Sequence, residues 1–344
     1  EKINFNIDLY DGYNFSSLSS KKSTTANFFT FFNKLKILFK LIKYLIKEDF
    51  DRILFYGYSF PHIVAAIYSK ILGKKTIIRS VSYNLGKRNI FKKIIRNIYF
   101  RFANLFFDEF WSICKLNTDF YLYFGVKENK ITVINSSQIT FDFVYKEEDK
   151  NLFNINKFLE ANNIPKNKKI IFYGGKFNIQ KRPLFLLESF INANLGDDWF
   201  LLMSGGGGVY HNEVLEFIEK NVSKNIKFLG YKNLKEMINL YTLSDIVVLP
   251  SDYGETHGNV LMEAIQFECA LLTSDRVGLY PEVIKHELGL VFKGDDKLEL
   301  INHLKKLTTD INFLNMCKAN GIKYSTNIKP NFVANIIAET LNQK

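Results

Sequence analysis

The sequence of 344 residues has few cysteines and no long uninterrupted apolar run. Its three cysteines, Cys114, Cys269 and Cys317, lie far apart and form neither a CxxC motif nor a disulfide framework, which predicts a reducing compartment. No stretch reaches the roughly 18 apolar residues that a membrane-spanning helix needs, so we expect a soluble or peripheral protein. No signal peptide is visible, although the chain begins at Glu1 rather than Met.

Several chemical signatures are also missing. The phosphate loop GxxxxGK followed by Ser or Thr does not occur, and neither does the dinucleotide fingerprint GxGxxG. No DxD-type cluster stands at a predicted strand end, and no known nucleic-acid-binding motif is present. We therefore expect no metal requirement and no nucleic-acid partner.

Acidic residues are missing from one part of the chain. Residues 52–107 contain eleven basic residues and no acid. Residues 1–150 hold 24 Lys and Arg against 14 Asp and Glu, a net charge of +10, whereas residues 151–344 hold 22 against 21, a net charge of +1. This uneven field implies an anionic partner for the first half.

Apolar residues make up 47% of the chain, and its length suits two α/β domains of about 150–200 residues each. In the second half, short apolar runs alternate with helical segments, and the predicted strands cover 168–175, 199–208, 226–231, 245–251, 270–275 and 289–293. This alternation predicts a doubly wound parallel sheet. The first half is less regular, with predicted strands at 52–58, 74–82, 107–113 and 130–137.

These segments predict the domain organisation. We expect an N-terminal Rossmann-like domain over 1–150 and a second one over 151–325, joined near 140–165 where charge and Asn accumulate. The stretch 296–343 is predicted to be helical, and its last part, 326–344, is expected to pack back toward the N-terminal domain.

In an open α/β sheet, ligands bind at the carboxyl ends of the strands. The sequence GGKFNIQKRP (174–183) follows one predicted strand, and its glycines would let the backbone approach a ligand closely. Lys176 and Lys181 could both reach one anion, such as a diphosphate; the alternative is that they are solvated surface lysines. The run SGGGG (204–208) after the next strand is either a flexible turn or a loop beneath a bulky ligand.

A third strand end carries LPSDYGETHGNVLME (249–263). Glu255 stands before a predicted helix start, where a carboxylate can accept hydrogen bonds from sugar hydroxyls. The N–H groups of Gly258, Asn259 and Val260 are first-turn donors suited to a phosphate or ribose oxygen, and Glu263 can take two vicinal hydroxyls. Acidic residues are also common in first helical turns, but three such sites on consecutive strand ends favour a ligand.

Together, GGKFNIQKRP, KFLGY, LSDIVVLPSDYGETHGNVLMEAIQFECALLTSD and YPEVI resemble the donor domain of retaining GT-B glycosyltransferases, specifically glycosyltransferase family 4, or glycosyl transferases group 1. The resemblance covers about residues 168–293. Glu255 and Glu263 match the E-x7-E motif, and Lys176 with Lys181 match the basic pair that binds the donor diphosphate.

The resemblance implies two Rossmann-like doubly wound domains facing across a cleft. It implies that Glu255 holds the transferred sugar, that Glu263 holds the ribose, and that Lys176, Lys181 and Glu255 carry catalysis. The donor would be a UDP- or GDP-linked sugar, with no metal required. The implied donor-binding residues are Gly175, Lys176, Lys181, Gly230, Tyr231, Glu255, His257, Gly258, Asn259, Val260 and Glu263.

The sequence also departs from the family. Lys176 stands where the family usually has Arg, which keeps the charge but loses bidentate geometry. The first strand and its glycine-rich loop either precede Glu1 or have diverged. The family's N-domain histidine is missing after 74–82, where Ser80 and Ser82 stand. His62, Ser80 and Ser82 are the acceptor-side candidates, although a capping or packing role is favoured for His62, the nearest histidine.

Two basic, Phe-rich stretches, 28–47 and 86–107, place apolar residues at helical spacing. They predict contact with an anionic membrane surface, or alternatively core-facing helices with solvated lysines.

The resulting prediction is a cytoplasmic retaining glycosyltransferase, peripheral at the inner face of the cell membrane. It would move a hexose to a glycan or lipid-linked glycan acceptor in cell-surface polysaccharide or lipopolysaccharide biosynthesis. The alternatives are a GT-B nucleotide-sugar epimerase and a catalytically silent glycosyltransferase partner subunit.

Overall fold

The computed structural model describes residues 28–48, 50–84, 89–134, 155–221, 225–253 and 255–342. Contacts divide the chain into two compact units, Glu1–Asn135 and Ser136–Lys344. The predicted boundary at residue 150 lies outside the described residues, as do residues 1–27 and 86–88 of the predicted N-terminal domain, so the position of the junction stays a prediction.

The first unit contains a parallel sheet of four strands in the order β1-β2-β3-β4. Aromatic side chains fill its core, among them Phe55, Phe107, Phe110 and Phe120. The predicted strands are present; β4 covers 131–133 of the predicted 130–137, of which residues 135–137 lie outside the described residues. The elements are α1 (Phe28–Lys47), β1 (Arg52–Tyr56), α2 (Phe60–Ile71), β2 (Lys75–Arg79), α3 (Ile90–Asn104), β3 (Glu109–Ser112), α4 (Lys115–Tyr123) and β4 (Ile131–Val133).

The second unit contains a parallel sheet of six strands in the order β10-β9-β8-β5-β6-β7. All six predicted strands are present. Its elements are α5 (Ile155–Ala161), β5 (Lys169–Gly175), α6 (Pro183–Ala193), β6 (Trp199–Gly205), α7 (His211–Lys220), β7 (Ile226–Phe228), α8 (Leu234–Leu243), β8 (Ile246–Leu249), α9 (Asn259–Ala264), β9 (Ala270–Ser274), α10 (Tyr280–Lys285), β10 (Gly289–Phe292), α11 (Lys297–Thr309), α12 (Ile311–Ser325) and α13 (Pro330–Asn342).

The sheet of the second unit is buried on both faces. Side chains of β8 alternate between two apolar clusters: Val247 and Leu249 join one, while Ile246 and Val248 join the other. Successive strand residues point to opposite faces, so a strand that is covered on both sides must be apolar throughout. This explains the continuous apolar runs in the sequence.

The strand order places a switch point between β5 and β8. From β5 the chain moves outward through β6 and β7, then returns to β8 on the other side of β5 and continues through β9 and β10. Ligands bind at such switch points, beyond the carboxyl ends of the strands. The loops that follow β5 and β8 carry the two lysines and Glu255 of the predicted site.

The predicted helical stretch 296–343 consists of three helices, α11 to α13, within the described residues. Asp310 separates the first two, since its side-chain oxygen accepts a hydrogen bond from the Phe313 N–H at 3.0 Å and caps α12. A short 3₁₀ turn (Thr326–Ile328) precedes α13. The packing of this last helix toward the first unit stays a prediction.

Candidate active site

The loop after β5 is held from beneath by Tyr173. This buried side chain donates hydrogen bonds to the carbonyl oxygens of Lys176 (3.1 Å) and Lys181 (3.4 Å). The Lys181 N–H also donates to the Asn178 side-chain oxygen at 2.8 Å. Both ends of the lysine-bearing loop are therefore fixed to the sheet, while Lys176 itself is exposed.

The glycine run after β6 supports the same loop. Gly205 has φ +118°, and a Cβ at this position would lie 2.1 Å from the Gly175 carbonyl oxygen. The Gly206 N–H donates to that oxygen (3.2 Å), and the Phe177 N–H donates to the Gly207 carbonyl oxygen (3.1 Å). The glycines thus allow two strand ends to approach closely, which is a more specific role than the flexible turn considered from sequence.

The loop after β8 is tied to the loop after β5 and to its neighbours. The Asp252 N–H donates to the Gln180 carbonyl oxygen at 2.7 Å. The Asp252 carboxylate accepts a hydrogen bond from Arg276 at 2.5 Å, and Arg276 also pairs with Asp295 after β10. These ion pairs join the carboxyl ends of β8, β9 and β10 on one side of the predicted site.

Glu255 and Lys181 form an ion pair across the switch point. Their side chains are only 15% and 19% exposed. Burial and the nearby Glu255 charge both raise the pKa of Tyr173, so all three side chains share one environment. Two residues that were predicted to bind different parts of a donor therefore lie side by side.

Helix α9 begins next to this pair. Gly258 is its N-cap with φ +81°, and the first helical hydrogen bond runs from the Leu261 N–H to the Gly258 carbonyl oxygen at 2.9 Å. The predicted helix start is thereby confirmed. A Cβ at Gly258 would lie 2.8 Å from a Val277 methyl carbon, so the turn itself requires glycine, whether or not a diphosphate passes it.

Three further predicted residues belong to the same turn. His257 is buried, while Asn259 and Val260 form the first turn of α9, which has six residues and continues into a 3₁₀ turn, Ile265–Phe267. The turn therefore presents first-turn N–H donors next to Glu255, as the sequence indicates.

Glu263 lies deeper on α9 and accepts a hydrogen bond from the Tyr241 hydroxyl at 2.7 Å. Burial raises the pKa of the Glu263 carboxyl to about 6, while the hydrogen bond from Tyr241 acts in the opposite direction. Tyr241 is fully buried on α8. The sequence did not single out this partner.

Gly230 and Tyr231, the predicted base-binding residues, follow β7. The Gly230 carbonyl oxygen accepts hydrogen bonds from the Gly205 N–H (2.9 Å) and the Ser204 hydroxyl (3.0 Å). This places Gly230 beside the end of β6, and Tyr231 is exposed. Their role toward a nucleobase stays a prediction.

The acceptor-side candidates lie near strand ends of the first unit. The His62 ring donates from Nδ1 to the Gly57 carbonyl oxygen at 2.9 Å, just after β1. Ser80, just after β2, is buried, and both its N–H and its hydroxyl lie 3.1 Å from the Tyr121 hydroxyl. The Ser82 carbonyl oxygen accepts a hydrogen bond from Asn117 at 2.7 Å. Each has a local partner, and their part in acceptor binding stays a prediction.

The described ranges contain no group of three His, Cys, Asp or Glu side chains that could hold a metal ion. Sequence reasoning missed three parts of the site: Tyr173, Tyr241 and the Asp252–Arg276 pair. Both tyrosines stand at positions whose pattern is that of core residues, and the partners of Arg276 come from loops more than 15 residues away. No local signal in the sequence could have found these contacts.

The first unit also has an exposed apolar surface on α3. Ile90, Phe91, Ile94, Ile95, Ile98, Phe102 and Leu105 recur at helical spacing and are between 52% and 74% exposed. The opposite side of α3 packs inward through Phe100 and Ala103. By contrast, α1 buries Leu38 and Leu45. No helix in the described part of the chain is long and apolar enough to span a membrane.

Comparisons with known proteins cover the segment that carries these residues. Residues 154–324 match the family model for Glycosyl transferases group 1. The matched segment is just under half of the 344 residues, and it contains every predicted donor-binding residue from Gly175 to Glu263.

Two curated relatives align with long segments of this chain at low sequence identity. An uncharacterized glycosyltransferase of Methanocaldococcus jannaschii is 26% identical over 174 residues, covering 48% of this chain and 44% of the relative. CapM, a capsular polysaccharide biosynthesis glycosyltransferase of Staphylococcus aureus, is 26% identical over 219 residues, covering 62% and 55%. The chain thus spans about half the length of the curated relatives it matches.

Among solved structures, HepE from Anabaena in complex with UDP superimposes with a TM-score of 0.72 at 17% identity, covering 90% of this chain and 82% of HepE. At this identity the likeness shows the fold. The predicted GT-B architecture, two parallel-sheet α/β domains, is confirmed. That the domains face each other across a cleft stays a prediction.

Proposed function

We propose that this chain is a retaining glycosyltransferase that transfers a hexose from a nucleotide-sugar donor to a glycan or lipid-linked glycan. The observation that carries the proposal is the Lys181–Glu255 ion pair at the β5–β8 switch point. A cation that could bind a diphosphate and a carboxylate that could bind sugar hydroxyls are therefore neighbours, as the two ends of a sugar diphosphate ester require.

The chemistry needs a stabilised leaving group. In the proposed reaction the bond between the sugar C1 and the diphosphate oxygen breaks, and an acceptor hydroxyl oxygen forms a bond to C1 on the same face. The hydroxyl proton passes to the departing diphosphate. Lys176, Lys181 and the first-turn N–H groups of α9 would stabilise the negative charge that develops there.

We propose a UDP-linked or GDP-linked donor, bound without a metal. The complex of HepE with UDP favours UDP, since HepE has the same fold and binds UDP in its crystal structure. The Glu263 carboxylate would hold the ribose, and the base would lie near Gly230 and Tyr231.

A binding screen tests the donor class. The affinity of the protein for UDP, GDP, ADP and CMP is measured by calorimetric titration, with and without EDTA. Melting curves give a second measurement, since a bound nucleotide should raise the unfolding temperature. We expect one of the two proposed diphosphates to bind, with EDTA making no difference. Loss of binding in EDTA would contradict the metal-free donor site.

The screen, together with an incubation of the protein with the matching nucleotide sugar, separates the proposal from the two alternatives. A nucleotide-sugar epimerase would interconvert the sugar without an acceptor, which chromatography of the recovered nucleotide sugar would reveal. A silent partner subunit would bind none of the four nucleotides. Either result would overturn the proposed transferase.

We further propose that the enzyme works on the cytoplasmic face of the cell membrane in cell-surface polysaccharide synthesis. CapM, named for capsular polysaccharide biosynthesis, supports the acceptor class. The solvent-facing apolar stripe of α3 supports the membrane partner, because the stripe lies in a stretch with eleven basic residues and no acid. Between the two stretches predicted to bind lipid, α3 is the better candidate, since α1 buries two of its leucines.

Flotation with vesicles tests the membrane partner. We expect the protein to float with vesicles of phosphatidylglycerol and phosphatidylcholine at low salt, to float less as salt rises, and to stay behind with phosphatidylcholine alone. If α3 instead buries its stripe in a second copy, sedimentation will show a salt-insensitive dimer and no flotation, which would contradict the proposal.

A further inference from the structure

We propose that Tyr241 is the positioning residue of Glu263: its hydroxyl fixes one oxygen of the carboxylate that binds the donor ribose. This inference rests on the proposed function, because it takes Glu263 as the ribose-binding group. Tyr241 touches the carboxylate and is not expected to touch the donor.

The geometry sets what Glu263 can offer. Its Oε2 accepts the Tyr241 hydroxyl at 2.7 Å. A carboxylate has two oxygens and about four acceptor positions, so Oε1 keeps its full capacity for ribose hydroxyls. The tyrosine therefore fixes the rotation of the carboxylate and defines which oxygen is presented.

The phenol ring has little freedom to move. It is fully buried, and it packs against the rings of Phe172 (5.7 Å between centroids) and Phe267 (6.1 Å). The Cys269 thiol donates a hydrogen bond to the Tyr241 carbonyl oxygen at 3.3 Å. A group held this firmly can hold another group in place.

The charge balance at Glu263 depends on this contact. Burial raises the pKa of the carboxyl to about 6, and the hydrogen bond from Tyr241 opposes that rise. Burial raises the pKa of the neighbouring Cys269 thiol, on which the charges of Lys318, Asp245 and Glu268 also act. Lys318 and Asp245 form an ion pair at 2.9 Å. Tyr241 is thus the polar group that favours the carboxylate.

The affinity for the donor ribose should depend on pH through the protonation of Glu263. Ribose binding requires the charged carboxylate, so affinity is present above the pKa of Glu263 and is lost as the pH falls through about 6. Removing the Tyr241 hydroxyl raises that pKa further, so the variant loses affinity at a higher pH than the wild type.

The test uses Tyr241→Phe, which keeps the ring and removes the hydroxyl. The dissociation constant of UDP, or of whichever nucleotide the screen identifies, is measured by calorimetry from pH 5.5 to 8.0. We expect affinity to fall about 10-fold at pH 7, since a hydrogen bond to a charged group is lost, and its pH midpoint to rise. Glu263→Gln should bind weakly, and the pH dependence that remains in this variant is that of the terminal phosphate of the nucleotide, whose second pKa is about 6.

Tyr324→Phe is the matched control. Tyr324 lies in the same buried cluster as Tyr241, and its ring packs against His286 rather than Glu263. It should retain the wild-type pH midpoint. Melting curves of both variants show whether each is folded at the measuring temperature, and the pKa of Glu263, followed by NMR of the carboxyl carbon, measures the coupling without any ligand.

Two failures are distinguishable. If the wild type binds no nucleoside diphosphate at any pH, the proposed function is overturned, and the ribose role with it. If the wild type binds but Tyr241→Phe keeps both its affinity and its pH midpoint, only the positioning role is overturned.

Discussion

The two units are both built on a parallel sheet, but they differ in net charge and in the exposure of their apolar side chains. The sequence half that holds the first unit carries a net charge of +10, and α3 turns apolar side chains to solvent. The half that holds the second unit is nearly neutral, and its sheet is buried between two apolar clusters. Under the proposed function this difference becomes a division of labour: the second unit would hold a small charged ligand, and the first would provide a broad basic and apolar surface.

The strand ends differ in the same way. In the first unit, Ser80 and His62 meet local partners, Tyr121 and the Gly57 carbonyl oxygen. In the second unit, Lys181 and Glu255 meet each other across the switch point. A cation and a carboxylate with low exposure are poorly solvated, and an anionic sugar ester can replace each one's partner. Polar side chains at strand ends are therefore not sufficient evidence of a site, and the low exposure of the Lys181–Glu255 pair at the switch point is what favours the second unit as the donor site.

Removing the charge of Glu255 should have the largest effect on the proposed donor site of the second unit. Glu255→Gln should lower kcat about 100-fold, because a preorganised acceptor of sugar hydroxyls is lost, while the nucleoside diphosphate binds at least as tightly to the released Lys181. Turnover and calorimetric affinity measure the two effects. Glu219→Gln, an exposed acid on α7, is the matched control; near-normal turnover of Glu255→Gln would remove this residue from the sugar site.

Substitutions in the apolar stripe of α3 test whether the first unit provides the membrane-binding surface. The double variant Ile94→Gln, Ile98→Gln should lower partitioning onto anionic vesicles more than 10-fold, since each buried Ile contributes about 1.5–3 kcal/mol. Vesicle flotation measures the loss, and nucleotide affinity should not change.

The matched control for α3 removes two exposed apolar residues from the second unit, Ile284→Gln with Leu298→Gln. This variant should float like the wild type. Equal flotation of both double variants would show that α3 does not contact the lipid.

Lys181→Ala should weaken nucleoside diphosphate binding about 10-fold, because a charge-assisted contact is lost and Glu255 is left without its cation. Isothermal calorimetry at one fixed ionic strength measures the dissociation constant. Lys220→Ala, an exposed lysine on α7, controls for the change in net charge. Unchanged affinity in Lys181→Ala would contradict the diphosphate role.

Much of the second unit could be predicted from its sequence, because both faces of the sheet are covered and the strands are continuous apolar runs. The helix start at Gly258 also followed from local pattern. The contacts of the site could not be predicted: Arg276 reaches Asp252 and Asp295 across two loops, and Tyr173 and Tyr241 use an apolar ring for the core and a hydroxyl for the site. The alternation of strands and helices indicates which loops share one edge of the sheet, but it does not indicate which side chains of those loops pair.

The smallest expected effects come from removing one tyrosine hydroxyl in each unit. Tyr173→Phe removes the hydrogen bonds that hold the lysine loop, and Tyr121→Phe removes those to Ser80. Each should destabilise the protein by about 1 kcal/mol in chemical denaturation. Only Tyr173→Phe should also weaken nucleoside diphosphate binding, by a few-fold, because the loop that carries Lys176 and Lys181 loses its anchor. Equal loss of affinity in both variants would mean that the donor site depends on both units.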